Sequence, residues 1–600
     1  MTRVAQVAFA LLVVATFGAF FVAQRLKATP SLVLEARARP VFSPNQDGRK
    51  DRARWSFMLK RDDQMSVRVV DDDGDEVRTL ADGQKTDAYD RQRFDWDGTT
   101  DEGAMAPDGT YRLRLSLRRQ GRSITIARAV EKDTVPPSPQ VLSIGPEDDP
   151  GPEVLPRADG DPAQVRLSVP GDNREVELWR TDVRPAQRIV EPRELPDGDQ
   201  VQRWLWDADD DEGEPVPAGT YLVVARSRDA AGNIGESVAR LPPAPGYGEG
   251  LEGRGGIRVR YLTAQAPHAP VAAREPMRVA VASPGGDFTW TVRRAGQREV
   301  RNEGSGSRSR LVRFRAPGGR SGLYVFEART RGGEVARTPF YVQGEQARDV
   351  LVVLPAITWQ GRNRVDDDGD GWPDTLEYGL PVDTRRPFAA GELPRDLREL
   401  GAPLLIALDR EGLRYDVTTD LALARDAGPG LEGRDGVALA GEVRWLPDGT
   451  QRALRTFVQR GGGVLVTGPD SLRRSAHVTP SRVVEPRPAA PRTLFGARLA
   501  PVRRVPTTVT ATQDELQLFA DTGGTFGGFG VFEETLDLAG DTELAATAVT
   551  QEGARNVIVG VRLGDGLVLR TGLPELPVRS GDDPELTTLL RRMWTLLGAR

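Results

Sequence analysis

The chain has 600 residues, a formal net charge of -6 and no cysteine, and its 65 glycines and 45 prolines interrupt many short segments. The lack of cysteine excludes disulfides, thiolate metal sites and cysteine nucleophiles. Both charge signs are mixed along the chain without a basic stripe, which argues against nucleic acid as a partner. Length and composition together predict several domains that are rich in short strands and turns.

The N-terminal segment, residues 1–27, is apolar from Val7 to Ala23 between basic flanks. Its length is at the lower limit for a membrane-spanning helix, and the bulky Phe21 does not fit a small-x-small cleavage site. We therefore predict an uncleaved signal anchor that forms one transmembrane helix, with a cleaved secretory signal as the alternative. On this interpretation the protein is attached to the cell membrane by a single pass, with the bulk of the chain extracellular.

Residues 28–137 and 138–241 are predicted to form two β-sandwich domains that are related by duplication. The stretch Phe94–Tyr111 (FDWDGTTDEGAMAPDGTY) aligns without a gap with Trp204–Tyr221 (WLWDADDDEGEPVPAGTY). In each repeat the aligned tryptophan is expected in the core, glycine and proline set a turn, and the tyrosine begins a strand. This signature, with the opening sequence FSPNQDG at Phe42–Gly48, resembles the Ig-like domain of flagellar hook-assembly proteins.

The middle of the chain continues the strand pattern. Residues 242–256 are rich in Pro and Gly, which is typical of a linker. Residues 257–345 again alternate between apolar and polar side chains, as in Phe288-Thr289-Trp290. This alternation predicts a third β-sandwich, one that lacks the Trp-Asp-Gly signature.

From Asp349 onward, short apolar runs alternate with segments of helical pattern. Leu351–Leu354 is a continuous apolar run, as expected of a strand that is buried on both faces of a parallel sheet. Val437–Ala440 and Val464–Val466 are similar runs, with a helical pattern between them. We predict that residues 346–600 form a doubly wound α/β domain. The predicted fold class is therefore multidomain: an N-terminal transmembrane helix, three Ig-like β-sandwiches and this α/β domain.

The strongest motif is the acidic stretch Asp366–Glu377, which fits the calcium-loop pattern D-x-[DN]-x-[DN]-G-x5-E. Its predicted Ca²⁺ ligands stand at loop positions 1, 3, 5, 7, 9 and 12, and they are Asp366, Asp368, Asp370, the Trp372 carbonyl, Asp374 and Glu377. Pro373 replaces the apolar residue that is usual in paired EF-hands, so a lone structural site is expected instead of a switch. The alternative is an acidic turn on a solvated surface.

The C-terminal region also resembles the class I glutamine amidotransferase-like fold, and more narrowly the C-terminal domain of the N,N-dimethylformamidase large subunit. The carriers are residues 354–363 (LPAITWQGRN) and the strand-turn-helix at 436–463. The resemblance implies a cysteine nucleophile or an iron site with Tyr and Glu ligands. This chain has Thr467-Gly468 where amidotransferases place the cysteine, and Arg362 where the iron enzymes place a tyrosine. A guanidinium cannot ligate iron, so an inherited activity is not expected.

Two functions follow from these patterns. The first is a non-catalytic binding or architectural role outside the cell, in which Ig-like domains form a stalk for a calcium-stabilised head. Its expected partners are the membrane, through the N-terminal helix, and an unidentified envelope protein or glycan. The alternative is a surface amidase or metal-dependent hydrolase whose candidate residues are Asn363, Glu442 and the loop acids. Three convergent ligands near Asn363 and Glu442 would favour the enzyme.

Overall fold

The computed structural model describes residues 9, 11–20, 32–145, 153–157, 160–196, 198–238, 255–537 and 542–598. Strand outweighs helix, at 42% against 14%. Buried apolar side chains form one main cluster in each of three β-sandwiches and two clusters in a C-terminal head, residues 350–598.

The first sandwich pairs a three-stranded antiparallel sheet with a larger sheet that carries the first repeat. Its strands are β1 (Val33–Ala38), β2 (Val41–Phe42), β3 (Ala53–Leu59), β4 (Asp63–Val70), β5 (Glu76–Thr86), β6 (Arg91–Trp96), β7 (Gly109–Leu117), β8 (Arg122–Thr125) and β9 (Val130–Lys132). The strand orders are β1-β3-β6 and β2-β9-β7-β4-β5, with β8 beside β7. Trp96 lies between the rings of Phe42 and Tyr111, at centroid distances of 5.4 and 4.7 Å, and anchors the core.

The second sandwich repeats this plan. Its strands are β10 (Gln140–Ile144), β11 (Glu153–Leu155), β12 (Ala163–Ser168), β13 (Glu175–Arg180), β14 (Gln187–Glu194), β15 (Val201–Trp206), β16 (Gly219–Arg228), β17 (Ile234–Glu236) and β18 (Gly256–Val259). They form the sheets β10-β12-β15 and β11-β18-β16-β13-β14, with β17 beside β16. The sequence pattern had assigned residues from Ile257 onward to the third sandwich, whereas Gly256–Val259 pairs with β16 in the second.

The two repeats share the same local hydrogen bonds. In each, the tryptophan indole donates to the carbonyl three residues later, and the tyrosine hydroxyl donates to the carbonyl of the proline four residues earlier. The donors and acceptors are Trp96 to Thr99, Trp206 to Asp209, Tyr111 to Pro107 and Tyr221 to Pro217. These contacts support the structural role that the alignment predicted for the signature.

The third sandwich has a core of stacked aromatic rings around Trp290 and Phe326. Its strands are β19 (Thr263–Gln265), β20 (Val271–Ala272), β21 (Pro276–Ala282), β22 (Asp287–Arg294), β23 (Val300–Ser307), β24 (Arg310–Arg315), β25 (Gly322–Thr330) and β26 (Val335–Gln343), in the orders β19-β21-β24 and β20-β26-β25-β22-β23. A partly buried ion pair joins it to the head. Arg294 donates to both carboxylate oxygens of Asp409, at 2.6 and 2.7 Å.

The head is built on a nine-stranded mixed sheet in the order β29-β27-β30-β31-β38-β37-β36-β34-β35, with a small sheet β28-β33-β32 beside it. The strands are β27 (Val350–Leu354), β28 (Val382–Asp383), β29 (Asp416–Thr419), β30 (Gly436–Leu439), β31 (Gly463–Val466), β32 (His477–Val478), β33 (Arg482–Val484), β34 (Thr507–Ala511), β35 (Thr525–Phe529), β36 (Thr542–Thr550), β37 (Gly553–Leu563) and β38 (Gly566–Thr571). The helices are α1 (Ala356–Arg362), α2 (Ala402–Arg410), α3 (Asp420–Ala424), α4 (Asp448–Gln459), α5 (Leu576–Arg579) and α6 (Pro584–Gly598).

The predicted fold class is wrong for the head. Instead of a doubly wound α/β domain, the described residues form a sheet in which β29, β27, β30, β31 and β38 are parallel and the remaining strands are antiparallel. The sequence pattern missed this extension because β36 (TELAATAVT) and β35 (TFGGF) are rich in Ala, Thr and Gly. Such residues give little apolar-polar alternation, so the sequence pattern does not reveal these strands.

The fold class is also corrected at the N-terminus. Most of the predicted anchor, residues 1–27, lies outside the described residues, and residues 11–20 are helical. Across the part of the chain that is described, no helix is both long and apolar enough to cross a membrane.

Candidate metal centre and the adjacent crevice

The acidic loop follows α1 and turns tightly on two glycines. A β-bridge between Val365 and Asp374 closes its base, and the Asp374 N–H donates to the Val365 carbonyl at 2.9 Å. Gly369 and Gly371 have φ values of +83° and +87°. This left-handed conformation suits glycine because it has no Cβ. The turns bring carboxylates from alternate residues toward one centre.

Three of the predicted ligands converge. Carboxylate oxygens of Asp366, Asp368 and Asp374 lie within 4.8 Å of one another. Asp366 is held in place because its two oxygens accept the N–H groups of Gly369, at 2.6 Å, and Gly371, at 3.0 Å. A donor set made only of carboxylate oxygens fits a hard cation such as Ca²⁺ and suits softer metals poorly. The residues present therefore fit calcium.

The other predicted ligands are placed differently. Asp370 is buried next to this group, and its Oδ1 accepts the Trp372 N–H at 2.6 Å. The Trp372 ring packs into a small apolar cluster with Leu222, in the second sandwich. The structure does not bring Glu377 to the group. Its carboxylate instead accepts a hydrogen bond from Arg362 at 3.1 Å, on the crevice side of the loop.

Burial and mutual repulsion disfavour the ionised form of the loop carboxylates. Burial, with repulsion from neighbouring loop carboxylates, raises the pKa of Asp366 to about 6, of Asp374 to about 7 and of Asp370 to about 8. Among the described residues, none of these three carboxylates has an arginine or lysine within ion-pair distance. A bound dication would supply the missing positive charge.

Arg386 stabilises the base of the loop through hydrogen bonds to backbone carbonyls. Its buried guanidinium donates to the carbonyls of Gln360, Asn363, Val365 and Asp374, at 2.6 to 3.0 Å. It also pairs with the Asp367 carboxylate at 2.9 Å. Asp367, between two predicted ligands, is therefore occupied by an arginine. One side chain thus links α1, the loop and the segment before α2.

The loop is pressed against the second sandwich. The Gly256 N–H donates to the Gly369 carbonyl at 3.0 Å, and the Thr181 hydroxyl donates to the Gly371 carbonyl at 2.6 Å. Contact at Gly256 is so close that an added Cβ would lie 2.4 Å from the Gly371 nitrogen and 2.6 Å from Asp366 Oδ2. The candidate metal centre is therefore also the joint between the second sandwich and the head.

Next to the loop, a crevice of about 1320 Å³ opens at the carboxyl ends of the parallel strands. This is the edge at which open α/β sheets commonly place their sites. The crevice is bounded by α1, by the turns after β30 and β31, and by Arg180 and Asp182 of the second sandwich. Any chemistry of the head would be expected here.

The polar groups of this edge are paired with one another. Arg362 donates two parallel hydrogen bonds to Glu442, one of them at 2.8 Å, and Arg444 reaches the same carboxylate at 3.2 Å. Arg444 also pairs with Asp470, which in turn accepts from Arg474 at 2.7 Å. We call this set of five residues the crevice network. It leaves Glu442 with arginine on both oxygens.

Asn363 and Asp396 are equally constrained. The Asn363 amide donates to Gln360 and Pro387, and its oxygen accepts the Ala389 N–H at 2.9 Å. Asp396 accepts the Trp359 indole N–H at 2.7 Å and the backbone N–H of Glu442 at 2.9 Å. Burial raises the pKa of Asp396 to about 6. Within the described residues, the acidic group that meets a metal-ligand spacing is the one in the loop.

Sequence reasoning missed several of these residues. Arg386, Gly256 and Thr181 act on the loop from 12 or more positions away, and Asp470 joins the network from the next strand. No local motif marks them. The one available signal was Arg362 at a tyrosine position of the resembled family, which indicates a changed edge but does not identify its partners.

Comparison with known proteins confirms both suspected resemblances. Residues 44–121 match the family model of the FlgD Ig-like domain, and residues 311–525 match that of the N,N-dimethylformamidase beta subunit-like C-terminal domain. The second match begins inside the third sandwich, which the Arg294–Asp409 ion pair joins to the head. Among curated proteins, none matches the chain.

Solved structures resemble parts of the chain. A β-galactosidase from Rahnella sp. R3 is 17% identical over 28% of this chain and 24% of its own, with a TM-score of 0.21. One from Bacillus circulans sp. alkalophilus is 13% identical over 41% and 30%, with a TM-score of 0.26. FlgD from P. aeruginosa is 22% identical over 20% of this chain and 84% of its own, with a TM-score of 0.13. The chain spans about a quarter to a third of the two galactosidases.

Proposed function

We propose that this protein has a non-catalytic binding or architectural role, in which three β-sandwiches carry a calcium-stabilised head. The observation that carries the proposal is the state of Glu442. Its carboxylate lines the crevice at the strand ends, and Arg362 and Arg444 donate hydrogen bonds to its two oxygens. A carboxylate that is held in ion pairs by two guanidinium groups is a weaker metal ligand and a weaker general base, because its charge is already shared with the arginines.

Calcium is the second element of the proposal. Asp366, Asp368 and Asp374 would hold the ion, with Asp370 beside them. The ion would neutralise carboxylates whose raised pKa values reflect burial and repulsion from neighbouring carboxylates. A lone loop of this kind is suited to the millimolar calcium found outside cells, which supports an extracellular location.

The architectural part rests on the joint. Because Gly256 and Thr181 of the second sandwich bond to the carbonyls of Gly369 and Gly371, a rigid loop fixes the sandwich to the head. Without the ion, repulsion between the loop carboxylates acts directly on this contact. We infer that calcium sets the orientation of the head on the sandwiches.

The alternative is a metal-dependent amidase or hydrolase that uses the crevice. Its best support is Asp396, a buried carboxyl of raised pKa that lines the crevice and contacts the backbone of Glu442. A perturbed carboxyl in a cleft is a candidate acid or base. Here both of its oxygens already accept structural hydrogen bonds, so the binding role is favoured.

The test is metal analysis of the purified chain, combined with thermal unfolding in calcium and in EGTA. We expect one calcium per chain, a lower unfolding midpoint in EGTA, and loss of this difference in Asp370→Ala. Asp73→Asn, in an exposed acidic turn of the first sandwich, is the matched control and should keep the difference. Stoichiometric iron or zinc that disappears in Glu442→Gln would instead support the enzyme.

A further inference from the structure

On one wall of the crevice, unlike in the crevice network, the arginines lack carboxylate partners among the described residues. Nine arginines line the crevice, and most have a carboxylate partner within ion-pair distance. Three do not among the described residues. Arg364 donates instead to the carbonyls of Thr181 and Val183. The guanidinium groups of Arg504 and Arg579 have neither a carboxylate nor a carbonyl acceptor within the described part of the chain. Both belong to the wall formed by the segment before β34 and by α5.

The guanidinium group of Arg579 is positioned by the aromatic ring of Phe529. Its guanidinium carbon lies 4.2 Å from the centre of the buried Phe529 ring. A cation–π contact of this kind holds the guanidinium in place, and among the described residues its buried Nη1 has no hydrogen-bond partner. The nearby Glu575 carboxylate, which also lines the crevice, is turned to the Gly530 N–H at 2.7 Å. The wall therefore carries positive charge that is not neutralised by direct pairing among the residues that the structure describes.

The same wall exposes apolar side chains. Val502 and Val578 line the crevice and are 36% and 51% exposed. Each lies one or two positions from an unpaired arginine. Guanidinium groups next to exposed valines fit a ligand that combines an oxyanion with an apolar body. The crevice volume of about 1320 Å³ is ample for such a ligand.

We propose that this wall is a binding site for an amphipathic oxyanion, a small organic molecule that carries a carboxylate, phosphate or sulfate group. Arg579 and Arg504 bind the oxyanion, and Val502 and Val578 contact its apolar part. Arginine is suited to the task because its planar donor fork matches all three oxyanions. The inference rests on the proposed binding function of the head, and it names the ligand class for the crevice.

The experiment is isothermal titration of the full chain, in calcium, with phenyl phosphate, phenyl sulfate and benzoate. We expect at least one of these probes to bind. Benzyl alcohol should not bind, and inorganic phosphate should bind more weakly than phenyl phosphate. Arg504→Gln and Arg579→Gln should each weaken binding about tenfold, since each removes a charge-assisted contact. Arg395→Gln is the matched control, because Arg395 lines the same crevice but is paired with Glu399, and it should bind normally.

Several results would overturn the site. These are the absence of binding by all three anionic probes, unchanged binding in the Arg504→Gln/Arg579→Gln double variant, or equal binding of benzyl alcohol. Equal binding of inorganic phosphate would remove the apolar part of the assignment. Recovery of the probe after titration separates the two proposals. If phenyl phosphate binds through both arginines but is hydrolysed, the oxyanion site stands and the non-catalytic function fails.

Discussion

The acidic loop and the crevice network are neighbouring clusters of carboxylates, joined by the Arg362–Glu377 pair, and they differ in how far the protein itself neutralises their charge. In the crevice, Glu442 and Asp470 are matched by arginines at hydrogen-bond distance. In the loop, Asp366, Asp370 and Asp374 are buried without an arginine within ion-pair distance among the described residues, and their pKa values are raised. The carboxylates of the crevice network are neutralised by arginines of the same fold, whereas those of the loop would be neutralised by a bound cation.

Glu377 shows how a loop carboxylate can pair with the crevice network instead of joining the candidate metal centre. By sequence it is the last residue of the calcium loop, yet its carboxylate pairs with Arg362 and lies 3.7 Å from Arg444. A residue that the motif assigns to the metal is thus part of the crevice side. The comparison teaches that a carboxylate of the motif is available to a cation only where no arginine pairs with it.

The largest effect is expected at the shared base of the two clusters. Arg386→Met would leave four carbonyls and the Asp367 carboxylate without their buried donor. We expect a loss of roughly 3–5 kcal/mol in the free energy of unfolding of the head, together with loss of calcium binding. Denaturant unfolding and calcium titration measure the two effects. Retention of calcium affinity would show that the loop does not need this support.

A smaller effect is expected at the joint. In Gly256→Ala, the new Cβ would meet the Gly371 nitrogen and the Asp366 carboxylate at distances well below contact. We expect a cost of about 1–3 kcal/mol and weaker calcium binding, since the clash displaces the loop. Gly285→Ala, at a position with nothing within 4 Å of the added Cβ, is the control. Normal calcium affinity in Gly256→Ala would separate the joint from the metal centre.

A substitution in the crevice network should change the stability of the head without changing the effect of calcium. Glu442→Gln keeps the shape but removes the charge that Arg362 and Arg444 share, and these side chains are 34% and 18% exposed. Because solvent screens part of the interaction, we expect a destabilisation of about 1–2 kcal/mol. The stabilisation by calcium should be unchanged. A lost calcium effect in this variant would mean that the two clusters are one site.

The smallest effect concerns pH. In the folded chain without calcium, the pKa values of about 6 to 8 in the loop lie above the usual aspartate value. The folded state therefore binds more protons than the unfolded state, and calcium-free stability should fall as pH rises from 5 to 8. Protons also compete with calcium, so calcium affinity should rise over the same range, by up to about tenfold per pH unit for each proton released. Melting and titration at pH 6 and 8 check both signs.

Local patterns predicted much of this molecule. The Trp-Asp-Gly repeat and the period-2 alternation predicted the first two sandwiches, because their core positions recur at fixed spacing. The loop motif predicted the convergence of Asp366, Asp368 and Asp374. The antiparallel extension of the head could not be predicted in this way, since β35 and β36 lack alternation and owe their place to pairing with distant strands.

The sequence also could not predict which polar side chains are buried or which residues they pair with. His268 lies in loop-like sequence, yet it is half-buried with Nε2 at 3.0 Å from the Thr384 carbonyl, and desolvation lowers its pKa to about 4. The partners of Glu442 come from α1 and from the turn after β30. Such contacts depend on how elements pack, and a single sequence does not record which arginine meets which carboxylate.

The most direct test of the account is calcium titration of three matched variants. Asp366→Asn and Asp374→Asn each remove a charge from the converging group, whereas Glu377→Gln alters a residue that the motif, but not the structure, assigns to the metal. We expect one calcium per chain in the wild type, at least tenfold weaker binding in the two aspartate variants, and nearly normal binding in Glu377→Gln. Loss of binding in Glu377→Gln with retention in Asp366→Asn would contradict the account.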